Sequence, residues 1–329
     1  MKIAIIHNIP EQGAPESDLD VLKQVLAVEQ ALSESHHETI RIPCTLNLDG
    51  LRTALRRHRP QCVFNLVESL GGTDRLAVLV PMLLESMGIP FTGATSENLL
   101  ATADKVSVKR RLRELESPTA DWLVADETPD LAGGKFIVKP RYEHASIGID
   151  DSAVLEAGNA QALKHILAHR TTSLGLELFA ERFIAGREFN VSIITDNTGA
   201  VKVLSPAEID FSAFPENKPR IVGYDAKWSS DSFEYHATPR SFEFSPDDQS
   251  LLSLLNQLTV KIWNSFNLRG YARIDYRIDS GNNPFVLEIN TNPCLSLDAG
   301  FAAALHNSGV TYSDGIESIV DAAFGNSRE

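Results

Sequence analysis

The first hundred positions carry two alternating hydrophobic rhythms. Lys2–His7, Glu38–Pro43, Gln61–Val67 and Ile89–Gly93 are short apolar or alternating runs and predict strands. Between them, Asp18–Ser35, Leu51–His58 and Leu76–Met87 repeat at helical spacing, with Pro81 a predicted kink in the last. In the first helix, Leu19, Leu22, Leu26 and Leu32, together with Val25, Val28 and Ala31, form the predicted apolar face. Strands alternating with helices in this way predict a parallel sheet covered by helices.

After Thr92-Gly93 the rhythm changes. A basic helix is predicted over Asp104–Leu115, ended by Ser117-Pro118. Strands follow at Trp122–Ala125 and Lys135–Lys139, then a polar loop at Pro140–Gly148 and a helix at Asn159–His169. Strands at Glu177–Phe183 and Glu188–Thr195 come next, and the Asp196-Asn197-Thr198-Gly199 turn leads into Ala200–Phe211. This stretch reads as an antiparallel α+β unit. Residues 212–244 have no clear period and contain three prolines, the composition of a functional loop. Ser245-Pro246 starts a helix that runs to about Phe266, followed by two strands and two closing helices.

The last strand pair carries the most chemistry. In Gly270–Pro293 two alternating strands flank Asp279–Asn283. A turn at Gly281-Asn282 puts Asp275 opposite Glu288 and Arg273 opposite Asn290, and side chains two apart share a face. Directly opposed carboxylates destabilise a sheet unless a cation neutralises them. The donors are all oxygen, which suits Mg²⁺ and not zinc. A solvent-facing charged strand surface is the alternative. The other face, with Ala272, Ile274, Tyr276, Leu287 and Ile289, is predicted to be core.

Composition removes several classes of function. The chain has 329 residues, length for two or three packed units, and a net charge of −14, which argues against a general nucleic-acid binder. Cys44, Cys62 and Cys294 form no CxxC or Cys/His cluster, so neither a disulfide framework nor a zinc site is expected. No apolar stretch approaches the ~18 residues of a membrane span, and the N-terminus has no cleavage signature, which reads as a cytoplasmic protein. The glycines of the first hundred residues make no GxGxxG or P-loop, so a nucleotide would have to bind elsewhere.

Seven pieces in order resemble the ATP-grasp superfamily, in its D-alanine–D-alanine ligase branch. They are Thr92-Gly93, Asp104-Lys105 with Lys109, Phe136–Pro140, Glu181–Glu188, Tyr224–Lys227, Arg273-Ile274-Asp275 and Glu288–Pro293. The resemblance implies three lobes: residues 1–100 as an α/β substrate lobe, 101–184 as the central lobe and 185–329 as the C-terminal lobe with the metal site. It implies ATP between the last two, with phosphates held by Lys105 and Lys139, and by Lys227 when the 212–232 loop closes. Glu181, Arg182, Phe183 and Ile184 would form the hinge at adenine, and Glu188 would hold the ribose. Asp275, Glu288 and Asn290 would bind two Mg²⁺ ions, for which Mn²⁺ could substitute; Arg273 would stabilise the transferring phosphoryl group, with Lys227 and Ser146 beside it.

The reaction implied joins a small carboxylate to a small amine through an acyl phosphate, in a protein that is a homodimer and binds neither nucleic acid nor membrane. The family's first serine after the Lys-Pro strand is lost in His144–Gly148. Its loop tyrosine is replaced by Trp228, its glycine after Asn-Pro by Cys294, and its Ser-Leu pair by Leu297–Gly300. No counterpart to its substrate-amine glutamate stands out in residues 8–20. Trp228, Cys294, Ser296 and Asp298 are therefore the expected substrate residues, and the substrates are expected to differ from D-alanine. The alternatives are authentic D-alanyl-D-alanine synthesis and an ATP-binding relic without catalysis.

Overall fold

The computed structural model describes residues 1–10, 13–127, 131–196 and 198–325. Asn197 of the expected 196–199 turn lies outside them; the Asp196 side chain caps that turn at Thr198 and Ala200.

The chain opens with β1 (Lys2–Asn8), α1 (Glu16–Glu34), β2 (Glu38–Cys44), α2 (Leu48–His58), β3 (Cys62–Leu66) and α3 (Leu79–Met87). The three strands form a parallel sheet in the order β2-β1-β3. Ile89–Gly93 makes no fourth strand: Phe91 forms only an isolated bridge to Val63. Pro81 falls in the first turn of α3, where its missing N–H has no helical partner to lose, so it makes no kink.

α1 buries the expected Val25, Val28, Ala31 and Leu32, but its buried face is rotated away from Leu22 and Leu26. Val21, Val25, Val28, Ala31 and Leu32 are buried, and so are Asp20 and Gln24. Leu22 and Leu26 are exposed. Two buried polar residues where leucines were available point to a polar task on the inner face.

A connecting helix α4 (Ser96–Ala103), unforeseen, leads into α5 (Lys105–Glu114). The Asp104 side chain caps α5 by accepting from the Val106 N–H, and it takes a bidentate pair from Arg141 at 2.7 Å. Then come β4 (Trp122–Val124), β5 (Ala132–Pro140), β6 (Val154–Asn159), α6 (Ala160–Leu174) and β7 (Leu178–Arg182), an antiparallel sheet ordered β4-β7-β5-β6.

The third sheet is built from β8 (Arg187–Thr195), β9 (Val201–Val203), β10 (Ala207–Ile209), β11 (Arg240–Ser241), β12 (Tyr271–Ile278) and β13 (Pro284–Asn290). The long segment before β11 contains two short helices, α7 (Tyr224–Trp228) and α8 (Phe233–His236). α9 (Gln249–Ser265) covers this sheet, and α10 (Gly300–Asn307) and α11 (Tyr312–Ala322) close the chain. The closing helices pack back on the first lobe: Phe301, Leu305, Ile316 and Ile319 share one core with Ile3, Ile5, Val25 and Leu32. Fully buried Ile and Leu side chains each contribute roughly 1.5–3 kcal/mol, so this shared core binds the two ends of the chain strongly.

Candidate active site

A cleft of about 1550 Å³ runs between the three sheets. One wall is the β12–β13 pair. Arg273 faces Asn290 and Asp275 faces Glu288, as the alternation required. The register then shifts between Asp275 and Tyr276, so that Tyr276 pairs with Val286. This bulge removes Leu287 from the core face expected for it: Val286 is buried instead, and Leu287 lines the cleft.

Asp275 gives both oxygens to Arg273, at 2.7 and 2.8 Å, and accepts from Asn190 at 2.9 Å. The Arg273 guanidinium is shifted upward: burial opposes its charge, and the facing Asp275 carboxylate outweighs burial. Glu288 meets Nδ1 of His144 and lies 3.7 Å from the Lys105 ammonium. Burial would raise the Glu288 carboxyl, but Lys105, His144 and Lys227 hold it well below the usual range. Among the described residues, no three His, Cys, Asp or Glu side chains form a preassembled metal cage. The donor set nevertheless fits a hard divalent cation: Asp275, Glu288 and Asn290 line the cleft from one hairpin face and offer oxygen ligands, and the two carboxylates are neutralised here by side-chain cations.

In the floor of the cleft lies a buried ion triad. Glu181 is 1% exposed and pairs with Lys109, 2% exposed, at 2.6 Å, and with Lys139. Burial pushes the Glu181 carboxyl up, but the two ammonium groups outweigh it and hold it at about 2. The Lys109 ammonium is pulled down by burial and supported by Glu181. The Glu181 carboxylate therefore serves the lysines. Arg182 donates to the carbonyls of Ala132 and Gly133 and stacks over Phe136, so its guanidinium also belongs to β5. Phe183 and Ile184 line the cleft. The bend after them needs Gly186, at φ +146° with a Cβ position only 1.9 Å from the Ile278 carbonyl oxygen.

The 212–232 segment is docked. Ser146 Oγ donates to the Val222 carbonyl and Trp228 Nε1 to the Ala145 carbonyl, both at 2.9 Å. Tyr224 N–H donates to Ile149, and Gly223 presses so close that a Cβ would lie 2.7 Å from the same carbonyl oxygen. The Ser146 hydroxyl is thus spent on this segment. Lys227 faces the cleft carboxylates: burial and Arg273 lower its ammonium, while Glu288, Asp275 and Glu188 support it.

At the other end, Cys294 lines the cleft, but Ser296 does not; it is buried, and its hydroxyl donates to Asp20 at 3.1 Å. The Cys294 thiol donates to the same carboxylate. Gln24 accepts from Leu295 N–H and donates to Asp20 and Glu68. Asp298 is exposed, and Arg240 donates to its carbonyl at 3.0 Å and lies close enough to feel its charge. The Asp298 carboxylate thus has a guanidinium nearby.

Arg240, Arg277, His144 and the Asp20–Gln24 pair escaped the sequence reading. Arg277 was recoverable, since it lies two residues beyond Asp275 on the same strand face. No sequence signal marks Arg240.

Residues 125–321 match the family described as D-ala D-ala ligase C-terminus. An uncharacterized protein, y4sG, of Sinorhizobium fredii is 31% identical over 91% of this chain and 88% of its own length. The D-alanine–D-alanine ligase of Moorella thermoacetica is 27% identical over 98% of this chain and 99% of its own. The crystal structure of the Bacillus anthracis D-alanine–D-alanine ligase complexed with ATP superposes with a TM-score of 0.72 at 21% identity, covering 98% of this chain and 97% of the other.

Proposed function

Because this chain belongs to the D-alanine–D-alanine ligase family of ATP-grasp enzymes, we propose that it is an ATP-dependent ligase joining a small carboxylate to a small amine, with at least one substrate other than D-alanine. The observation that carries the reaction class is the meeting in one cleft of Lys105, Lys139, Lys227 and Arg273 with Asp275, Glu288 and Asn290. Lysine ammonium groups and an arginine fork suit the oxygens of a nucleotide triphosphate. The carboxylates and Asn290 would hold two divalent ions, which when bound neutralise charge on the phosphates.

Phosphoryl transfer asks the protein for positioning and charge rather than covalent help. In this reading the substrate carboxylate attacks the γ-phosphorus and ADP leaves, giving an acyl phosphate. The amine then attacks the acyl carbon and phosphate leaves. Arg273, held in plane by Asp275, presents its remaining guanidinium N–H groups to the oxygen on which negative charge gathers. The docked segment carrying Lys227 and Trp228 excludes water, which would otherwise hydrolyse the acyl phosphate.

The substrate end supports a departure from D-alanine. Trp228 reaches across to Ala145, the position of the missing serine, and Cys294 stands where a glycine would leave more room. Arg240 near Arg273 and Asp298 offers a seat for one carboxylate, while Asp18 and Asp20 near Glu68 favour an ammonium group.

A screen of amino-acid pairs with ATP and Mg²⁺, read as phosphate release and product mass, tests both levels. Phosphate release that depends on a pair other than D-alanine with D-alanine is expected. Efficient D-alanyl-D-alanine formation as the best reaction would overturn the substrate reading. No turnover alongside tight ATP binding would favour the relic.

A further inference from the structure

Arg277 is 3% exposed and belongs to none of the roles above. Its guanidinium reaches three separate elements. Nε donates to the Ile184 carbonyl at 3.1 Å, in the bend between β7 and β8. Nη1 donates to the Glu188 carboxylate of β8 at 2.9 Å. Nη2 donates to the Arg220 carbonyl, in the docked segment. The flat face of the group is flanked by Phe183 and Phe211, with ring centroids at 5.5 and 5.7 Å. Every other lid anchor described above runs to the loop of residues 145–149; this one runs to the strand that carries Arg273 and Asp275.

We propose that Arg277 is a positioning residue that couples closure of the 212–232 lid to the hinge at Ile184 and the carboxylate of Glu188, so that the lid and the nucleotide seat move together. A guanidinium can do this because its donors point in fixed, divergent directions; an ammonium on a flexible stem is a single point charge. The lid contact stands on geometry alone. Its link to nucleotide rests on the proposed function.

Arg277→Met keeps the apolar stem and removes all three donors; Arg277→Lys keeps the charge. Tryptic nicking after Arg220 and Lys227 is followed by mass spectrometry, with and without Mg²⁺ and a non-hydrolysable ATP analogue. Both variants should nick about tenfold faster than the parent without nucleotide and bind the analogue about tenfold more weakly, the loss of one to two charge-assisted hydrogen bonds. A variant with parental near-ultraviolet dichroism and the parental nicking rate would overturn the proposal, and so would full rescue by lysine. If Arg277→Met does not fold, hydrogen exchange in the parent decides. The analogue should slow exchange at 184–187 and 220–224 together, and protection confined to the first segment would count against coupling. A parent that binds no analogue would sink the proposed function, while the nicking rates still judge the lid contact.

Discussion

The thiol of Cys294 donates to the carboxylate of Asp20 at 2.9 Å across 274 residues of chain. With Ser296 and Gln24 on the same carboxylate, Asp20 is the knot that ties the loop after β13 to the first helix.

Asp20→Asn should loosen that knot. An amide cannot accept the thiol, the hydroxyl and the Gln24 N–H together, and a buried unsatisfied donor costs about 1–3 kcal/mol. Cys294 is held well above the ordinary thiol range, first by burial and then by Asp20. The variant should therefore melt earlier and alkylate faster with iodoacetamide at Cys294. An unchanged alkylation rate together with an unchanged melting temperature would refute this.

Glu68 should make stability fall with rising pH. Burial, with Asp74, Asp20 and Asp18 nearby, pushes its carboxyl up to about 7 from an ordinary 4.5, against the lowering effect of Gln24. Between these values the folded chain holds a proton that the unfolded chain has lost, so stability declines from pH 4.5 to 7 and the cost is complete above that. Glu68→Gln should flatten this decline. Urea melts at pH 5 and pH 8 should show a smaller difference for the variant than for the parent.

Glu181 has the opposite sign. Its carboxyl is held at about 2, so its contribution is full above the ordinary 4.5 and disappears as pH falls toward 2. Glu181→Gln leaves two ammonium groups in the floor of the cleft without their carboxylate, and breaking such a buried pair costs about 3–5 kcal/mol. The variant should be less stable at pH 7 and lose less on acidification. Parallel acid-unfolding curves would rule this out.

Glu288→Gln should leave the fold intact and lower turnover about 100-fold or more, at or beyond the effect of losing a metal ligand's supporting partner. The Glu288 side chain faces the cleft rather than the core, so the variant should still fold, melting earlier only by the loss of its pairing with His144 and Lys105. Chelation of divalent ions should mimic the variant, and added Mn²⁺ should restore the parent. Retained phosphate release in the variant would remove Glu288 from the metal site.

The elements with one dominant rhythm were legible in the sequence: β1, α5, the β12–β13 face and the helix begun by Ser245-Pro246. The α1 face was legible at Val25, Val28, Ala31 and Leu32 but misread at its edge, because Leu22 and Leu26 outscore Asp20 and Gln24 in any apolar pattern, while the fold buries the polar pair for its hydrogen bonds. β6 and α4 were missed because short segments of mixed composition carry weak period. The hairpin carboxylates were found by spacing, and the cleft's lysines through the resemblance to the ATP-grasp ligases. Arg240 and His144 were not, since only the docking of distant segments brings them to Asp298 and Glu288.

The register shift beside Leu287 has a consequence for how this wall could change. Two residues there occupy the space of one, so the strand segment holding Glu288 and Asn290 is insulated from the length of the Asp279–Asn283 tip. A lengthened or shortened tip can be absorbed at Leu287 before it rotates Glu288 away from Asp275. A change in the size of the tip is thus expected to leave the carboxylate pair in register.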